Sequence, residues 1–510
     1  MAATLLSDLA RGDPDRLPQE FSPPSAAFAA PSSIVASTGL AWAPGKMFLG
    51  VQDGVVQPGV NGNGRFVMGG QPLGIGDDRH LVTVAGTRAG KGRAVIIPNI
   101  LHYPGSLLAT DLKGELASIT ARQRHAGLGQ KTLVLDPFGV TRGYPVTAGL
   151  LCGHNPIEQM RGDSLVEDAS LIADALVLAS GHADPHWDES ARTFIEGVIL
   201  HVKTAARYEG KRSLVTMQKL IAKGAKIECQ ARPSMAALCA EMLSNPSCDG
   251  VVQQAGADFS ERAERERAAV LSTARRHVKF LNYPGIRKVV SANDFDLADL
   301  KKEPTTIFLC LPARHIGTCN RWLRLFVNLT MQVMERELAK PAGGHPVLFC
   351  LDEFASLGHM RQIEDAAGQI AGFGVKLWPI LQDLGQLKTL YKDRWETFFG
   401  NAGVLQFFGN NDITTLEWIA KRCGETTIRT RADNSITFRD GRQGVEGGSW
   451  SNEKHDLVTL DEASKIFGRD DKHLRQLIIW AGRPPLILQR VYYDKHEMFR
   501  KAGRPLFDEV

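Results

Sequence analysis

The chain has 510 residues, 43% of them hydrophobic and 23% charged, with 60 basic against 56 acidic side chains. That length exceeds one ordinary core, and the composition is globular rather than disordered, collagenous or membrane-embedded. The net charge of +4 does not announce a uniformly basic polymer binder, and eight cysteines without a C-x-x-C pair or Cys/His ligand spacing argue against a disulfide scaffold or a zinc site.

Residues 1–64 are rich in Pro, Ala, Ser and Gly (FSPPSAAFAAPSS, then QPGVNGNG) and read as an N-terminal arm. The opening MAATLLSDLARGDPDRLPQE carries acids and no long apolar stretch, so it does not read as a signal peptide. No apolar run is long enough for a transmembrane helix, and the expectation is a cytoplasmic protein.

From Arg65 onward, apolar runs of strand length recur between turn signals: HLVTVAG, GSLLATD, KTLVLDP, TTIFLCLP, PVLFCLD, VKLWPILQ, GVLQFFG and PLILQRVYY. Runs that are apolar throughout suit a mostly parallel sheet covered by helices on both faces, an α/β class. The strands stop over 156–284. There Leu165, Ala169, Ile172 and Leu176, then Trp187, Ala191, Phe194, Ile195 and Val198, follow helical spacing, and 261–281 is a helix former with interleaved charges. This block is too long for one crossover and reads as an all-α insertion, with the α/β domain split into 65–155 and 285–510.

The strand HLVTVAG leads into Gly86, Thr87, Arg88, Ala89, Gly90, Lys91, Gly92 and Arg93 and then an apolar helical segment. Strand, glycine-bearing loop, lysine and helix is the context of a P-loop, whose backbone N–H groups wrap phosphates while Lys91 reaches the terminal ones. The match departs at both ends: Ala85 stands at the first glycine position, and Gly92 stands where a hydroxyl would hold magnesium. Taken alone, this stretch is also compatible with a glycine-rich turn that binds nothing. The apolar strand ending in Asp352 and Glu353 supplies the second half, Asp352 to hold Mg2+ and Glu353 to polarise the attacking water. Gln382, at the end of VKLWPILQ, is placed to sense the γ-phosphate, or else is a strand-end amide without a role.

Several stretches go beyond a generic P-loop: GTRAGKG with IIPNIL, TDLKGELASITARQR, LVLDPFG, HWDESARTFIEGVILH, RAAVLSTARRHVKFL, LDEFASLGHM, and LQDLGQLKTLY followed by FGNND. In these the chain resembles the TraG-type coupling proteins of type IV secretion and conjugation, from about Gly86 to Tyr493. The resemblance implies a RecA-like P-loop nucleotide-binding domain carrying an all-α domain, binding ATP and Mg2+ and assembling as a hexameric ring. It implies further that the protein docks DNA or a relaxase–DNA complex (the relaxosome) onto the secretion-channel proteins. Gly90, Lys91, Asp352, Glu353 and Gln382 match the family's nucleotide motifs. The family is normally anchored by N-terminal membrane helices, and none is read in this sequence, so the expectation is either a separate membrane subunit that holds it peripherally at the inner membrane or a soluble relative working elsewhere. An arginine supplied in trans is expected, with Arg314 and Arg361 both candidates.

Two other functional classes compete with the motor. One is a nucleotide-dependent substrate receptor or scaffold with little hydrolysis, which Ala85 and Gly92 favour and Glu353 and Gln382 oppose. The other is a soluble DNA-processing motor of a mobile element or defence system. Arg275, Arg276 and Lys279, with His277, form a basic cluster that is either a solvated helix face or a phosphate-binding strip. Residues 425–455 are polar and glycine-bearing and read as an exposed loop or hairpin.

Overall fold

The computed structural model describes residues 26–509 apart from 38, 60–63, 179–185, 227–232, 367 and 434–447. The first 25 residues of the expected arm, Cys229 and the tip of the 425–455 segment lie outside it.

The strands in chain order are β1 (Met47–Gln52), β2 (Val55–Pro58), β3 (Arg65–Met68), β4 (Gln71–Ile75), β5 (His80–Ala85), β6 (Leu107–Asp111), β7 (Lys131–Leu135) and β8 (Thr305–Cys310). They continue as β9 (Val347–Leu351), β10 (Val375–Leu381), β11 (Ala402–Phe408), β12 (Glu425–Asp433), β13 (Gly448–Asp456), β14 (Arg475–Trp480) and β15 (Leu486–Gln489). Among the described residues one sheet has eleven strands, in the order β4-β1-β15-β14-β11-β5-β10-β9-β6-β8-β7. From β11 to β7 every neighbouring pair is parallel, and from β4 to β11 every pair is antiparallel.

The parallel strands are buried on both faces because their side chains alternate between two cores. Val82 and Val84 of β5 enter one, Leu81 and Ala85 the other. In β9 the same division separates Val347, Phe349 and Leu351 from Leu348 and Cys350. The polar residues within these strands pair with one another. Trp378 Nε1 donates to the Thr83 hydroxyl at 2.9 Å, Thr83 donates to Gln406 Oε1 at 2.9 Å, Gln406 donates to Gln476 Oε1 at 2.6 Å, and Gln476 donates to the Leu49 carbonyl at 2.6 Å. A fully satisfied buried thread of this kind fixes the strand register, since an unpaired member would cost about 1–3 kcal/mol.

Among the described residues, no strand of the sheet falls between β7 and β8 along the chain. That interval holds helices Leu165–Leu176, His186–Thr204, Leu214–Lys223, Met235–Leu243, Val251–Glu261 and Glu264–Val278. Their starts follow local chemistry where a hydroxyl is available. Ser213 Oγ accepts from the Thr216 N–H at 3.3 Å and Ser234 Oγ from the Ala237 N–H at 3.1 Å, the N-cap arrangement. Ala169, Ile172 and Leu176 are fully buried, as their spacing predicted. Leu165–Leu176 packs on the long helix Ile316–Arg336, where Asp168 accepts from Gln332 Nε2 at 2.7 Å and pairs with Arg336. The helices and one sheet face therefore share a continuous core.

The expected arm is corrected over part of its length. Strand β1 lies between β4 and β15 with every residue buried, and Ala26 and Ala29 donate to the Glu425 and Pro485 carbonyls at 2.9 Å each. MFLGVQ is too short, and too close to proline and glycine, to stand out in the sequence. Its Gly50 is required, because a Cβ there would lie 2.6 Å from the Gln489 carbonyl oxygen. Strands β12 and β13 pair antiparallel, in register from Glu425 opposite Asp456 to Asp433 opposite Gly448. No helix among the described residues is long and apolar enough to cross a membrane, and seven cysteines are free thiols.

Candidate nucleotide-binding site

Four adjacent parallel strands, β5, β10, β9 and β6, end at one edge of the sheet, the place where α/β folds collect their functional groups. The P-loop leaves β5, Gln382 follows β10, Asp352 and Glu353 follow β9, and Asp111 ends β6.

The loop after β5 is held by close backbone packing. Gly86 donates to the Phe408 carbonyl at 3.2 Å, and a Cβ on Gly86 would lie 1.9 Å from the Gly409 carbonyl oxygen, so no other residue fits. Gly90 has φ +85°, a left-handed conformation that glycine adopts without steric cost. Arg88, at φ +59°, adopts it at a cost of about 1–2 kcal/mol. From Gly92 the chain is helical through Gly92–Ile96 and Ile97–His102, with Lys91 at the cap. That helix start aims its free N–H groups and positive end at the loop.

One chain of contacts runs through the site. The Thr87 hydroxyl donates to Gln382 Oε1 at 2.9 Å, and Gln382 Nε2 donates to Glu353 Oε2 at 2.8 Å. Glu353 Oε1 then pairs with Lys91 Nζ, which also lies 3.3 Å from Asp352 Oδ1. Asp352 Oδ1 in turn accepts the Glu353 N–H at 2.9 Å, and the Thr110 hydroxyl on β6 donates to the Asp352 carbonyl at 3.0 Å. Glu353 has φ 51°, a strained backbone for a residue with a Cβ, which turns its carboxylate back toward the P-loop.

The site is rich in negative charge. Burial pushes the Asp352 carboxyl above its ordinary range, and Lys91 pulls it back only in part. Asp111 is 2% exposed, and burial pushes its pKa up to about 6, with backbone N–H groups including those of Ala117 and Lys113 opposing the shift and the Asp352 charge adding to it. A single ammonium, that of Lys91, faces this group. The donor set suits a cation shared between carboxylate and phosphate oxygens, which is how magnesium is usually held beside nucleotides.

The expected residues do not all converge. The Arg93 guanidinium bonds both oxygens of Asp494 at 2.5 Å and lies 4.2 Å from the ring centre of Tyr492, a ring that itself borders Gly90. Gly92 has open space where a Cβ would stand. Arg314 and Arg361 are exposed, and neither has a recorded contact with Lys91, Asp352 or Glu353 among the described residues.

Three residues were missed as members of the site. Asp111 ends a recognised strand, and that position was its signal. Asn410, 4% exposed, donates to the Gln382 carbonyl at 3.3 Å. Arg490, 1% exposed, donates to the Ala89 carbonyl at 2.9 Å with its guanidinium 4.8 Å from the Phe408 ring centre. It supports the P-loop from behind and left no local signal in the sequence.

Residues 45–507 match the family model described as Type IV secretory system Conjugative DNA transfer. The chain belongs to that family. It is similar to the conjugal transfer protein TraG of Escherichia coli, at 27% identity over 448 residues, covering 82% of this chain and 68% of the relative. It is also similar to protein VirD4 of Agrobacterium fabrum, at 28% identity over 443 residues, covering 85% of this chain and 61% of the relative. Among solved structures, the bacterial conjugative coupling protein TrwBdeltaN70 superposes with a TM-score of 0.61 at 16% identity, over 92% of this chain and 99% of that one. TrwB in complex with ADP and Mg2+ superposes with a TM-score of 0.58 at 16% identity, over 92% and 100%. The shared fold is the RecA-like α/β arrangement expected from the sequence.

Proposed function

We propose that the chain is an ATP-hydrolysing coupling protein that recruits DNA, or a DNA–protein complex, to a type IV secretion apparatus and drives it forward. The observation that carries this reading is the continuous contact chain from Thr87 through Gln382 and Glu353 to Lys91 and Asp352. It joins the phosphate loop to the two strand ends that a P-loop motor uses for water activation and for sensing the terminal phosphate.

The residues divide the work as follows. Backbone N–H groups of residues 86–92 cradle the phosphates and Lys91 neutralises their charge. When bound, Mg2+ supplies electrostatic stabilisation of the transferring phosphoryl group, and Asp352 is the residue that holds it. Glu353 accepts the proton of the attacking water, which requires Lys91 to exchange its carboxylate contact for phosphate. Gln382, bonded to both Thr87 and Glu353, reports that exchange to β10. The structures of TrwB in complex with a non-hydrolysable ATP analogue and with ADP and Mg2+ support the ligand assignment.

The subunits form a hexameric ring in which Arg314 or Arg361, both exposed, completes the neighbour's site. Titration calorimetry with ATP and Mg2+ tests the site itself. Saturable binding that disappears in Lys91→Ala supports it, and equal binding by the variant contradicts it.

A further inference from the structure

A pocket opens where Glu264–Val278, with the turn that follows it, meets the start of Ile316–Arg336. Arg276, Lys279, Tyr283, Thr318 and Arg321 line it. The sequence placed Arg275 in the same basic cluster, but its guanidinium caps the helix Leu214–Lys223 by donating to the Ile221 and Ala222 carbonyls at 3.1 and 2.9 Å. Arg276 and Lys279 are exposed and face the pocket instead.

The charges around this pocket do not balance. Arg276 Nη2 lies 2.9 Å from Asp188 Oδ1, and His277 Nε2 lies 3.1 Å from the same oxygen. Arg321 donates to the Leu176 carbonyl at 3.0 Å and to His277 Nδ1 at 3.3 Å, with no carboxylate in ion-pair contact among the described residues. Burial and the nearby Arg276 charge both lower the Arg321 pKa, so the two guanidiniums repel across the pocket. Burial, then the two arginines, depress the His277 pKa despite Asp188, which keeps the imidazole neutral. Two guanidiniums and an ammonium thus face one shared carboxylate, an arrangement that gains from a bound polyanion.

An aromatic platform adjoins the cations. His315 stacks on Phe138 with ring centres 4.1 Å apart, and Tyr283 stands edge-on to both at 5.4 and 5.5 Å. Cations beside an aromatic face are the combination that holds single-stranded nucleic acid, phosphates on the charges and bases on the rings. An adjoining face of helix Ile316–Arg336 grips the loop after Glu353. Asn320 donates to the Ser356 carbonyl at 3.5 Å, and Arg324 donates to the Leu357 and His359 carbonyls at 2.9 and 2.6 Å.

We infer that this pocket binds the phosphodiester backbone of single-stranded DNA, with Arg276, Lys279 and Arg321 on phosphate oxygens and Tyr283 as the stacking face for an adjacent base. The inference rests on the DNA-handling role proposed above and adds the place where the strand is held, one helix away from the hydrolytic carboxylate.

Fluorescence anisotropy with a labelled oligo(dT) of about 16 nucleotides tests it on the full chain. The Arg276→Ala/Lys279→Ala variant is expected to lose at least about tenfold in affinity, and its slope of log affinity against log salt to fall by about 1.4, two phosphate contacts' worth. Lys279→Glu alone, at an exposed position, should weaken binding without disturbing the fold. Arg500→Ala/Lys501→Ala makes the same charge change at exposed positions beside Phe499, in the core on the other face of the sheet, and should leave affinity nearly unchanged. Wild-type affinity in the pocket variant, or an equal loss in the control, overturns the assignment while leaving the proposed motor intact. Absence of oligo(dT) binding by the wild-type chain overturns it together with the DNA-handling role. Displacement of the oligonucleotide by polyglutamate at lower concentration than by unlabelled oligo(dT) overturns it in favour of an acidic peptide.

Discussion

The Gln382 amide nitrogen lies 2.8 Å from Glu353 Oε2, so a residue just past β10 directly holds a residue just past β9. Its other end accepts from Thr87, which ties the phosphate loop to the same carboxylate. Gln382→Ala removes both contacts without emptying the phosphate cradle. The expected outcome is ATP affinity within about threefold of wild type and turnover lower by about 10²-fold, the loss typical of a displaced general base. Steady-state kinetics that instead show a raised KM with unchanged kcat would assign Gln382 to binding alone.

Two glycines in the loop make opposite predictions. Gly86→Ala forces a Cβ to within 1.9 Å of the Gly409 carbonyl oxygen, whereas a Cβ at Gly92 meets nothing within 4 Å. Gly86→Ala should destabilise the fold by about 1–3 kcal/mol and abolish ATP binding. Gly92→Ser should leave the Tm unchanged and lower the Mg2+ concentration needed for half-maximal turnover, because it restores a hydroxyl at the helix start. Thermal unfolding and Mg2+ titrations of both variants check this.

Arg490 reaches the P-loop from the far end of the chain. Its bond to the Ala89 carbonyl is buried, and removing a charged donor from such a bond costs about 1–3 kcal/mol. Arg490→Met should therefore raise the dissociation constant for ATP by about tenfold while keeping the Lys91–Glu353 pair. Arg490→Lys, which retains charge and reach, should recover part of the affinity. Calorimetric titration distinguishes this from general unfolding.

Stability should fall in mild acid. His102 packs between Trp42 and Phe499, and His154 is 1% exposed with its ring against Phe295 and Phe326. Burial lowers both pKa values to about 4, from an ordinary value of 6.5. Between those two values the unfolded chain binds more protons than the folded one, so stability is full above pH 6.5 and declines as pH falls toward 4. Each imidazole contributes up to about 3 kcal/mol of that loss. Asp111, raised to about 6, acts with the opposite sign and offsets part of this loss; unfolding midpoints measured from pH 7.5 to pH 4.5 should still drop, and His102→Phe should flatten the slope.

The nucleotide site was legible in the sequence where its residues are adjacent in the chain. The run from Gly86 to Lys91 and the pair Asp352–Glu353 each carry their own strand and turn signals, and the periodicity of Leu165–Leu176 identified its buried face. Long-range contacts left no such trace. Nothing local ties Arg490 to Ala89, Gln406 to Gln476, or β1 to β15, and β1 was accordingly assigned to an arm. Arg93 follows the loop in sequence, but its partners Tyr492 and Asp494 arrive from the other end of the chain, and no local signal announces them. The basic cluster divides for the same reason: the last carbonyls of a neighbouring helix hold Arg275, and Arg276 lines the pocket.

The central claim is that Glu353, held by Gln382 and paired with Lys91, activates water for an ATPase that works on DNA. Steady-state hydrolysis of ATP by the purified chain, with and without single-stranded DNA and beside Glu353→Gln, tests it most directly. The account predicts turnover that rises with DNA and falls at least about 10²-fold in the variant, which should still bind ATP because Lys91 is released from its carboxylate partner. ATP binding without turnover under any DNA condition, or a Glu353→Gln variant that hydrolyses at the wild-type rate, would contradict it.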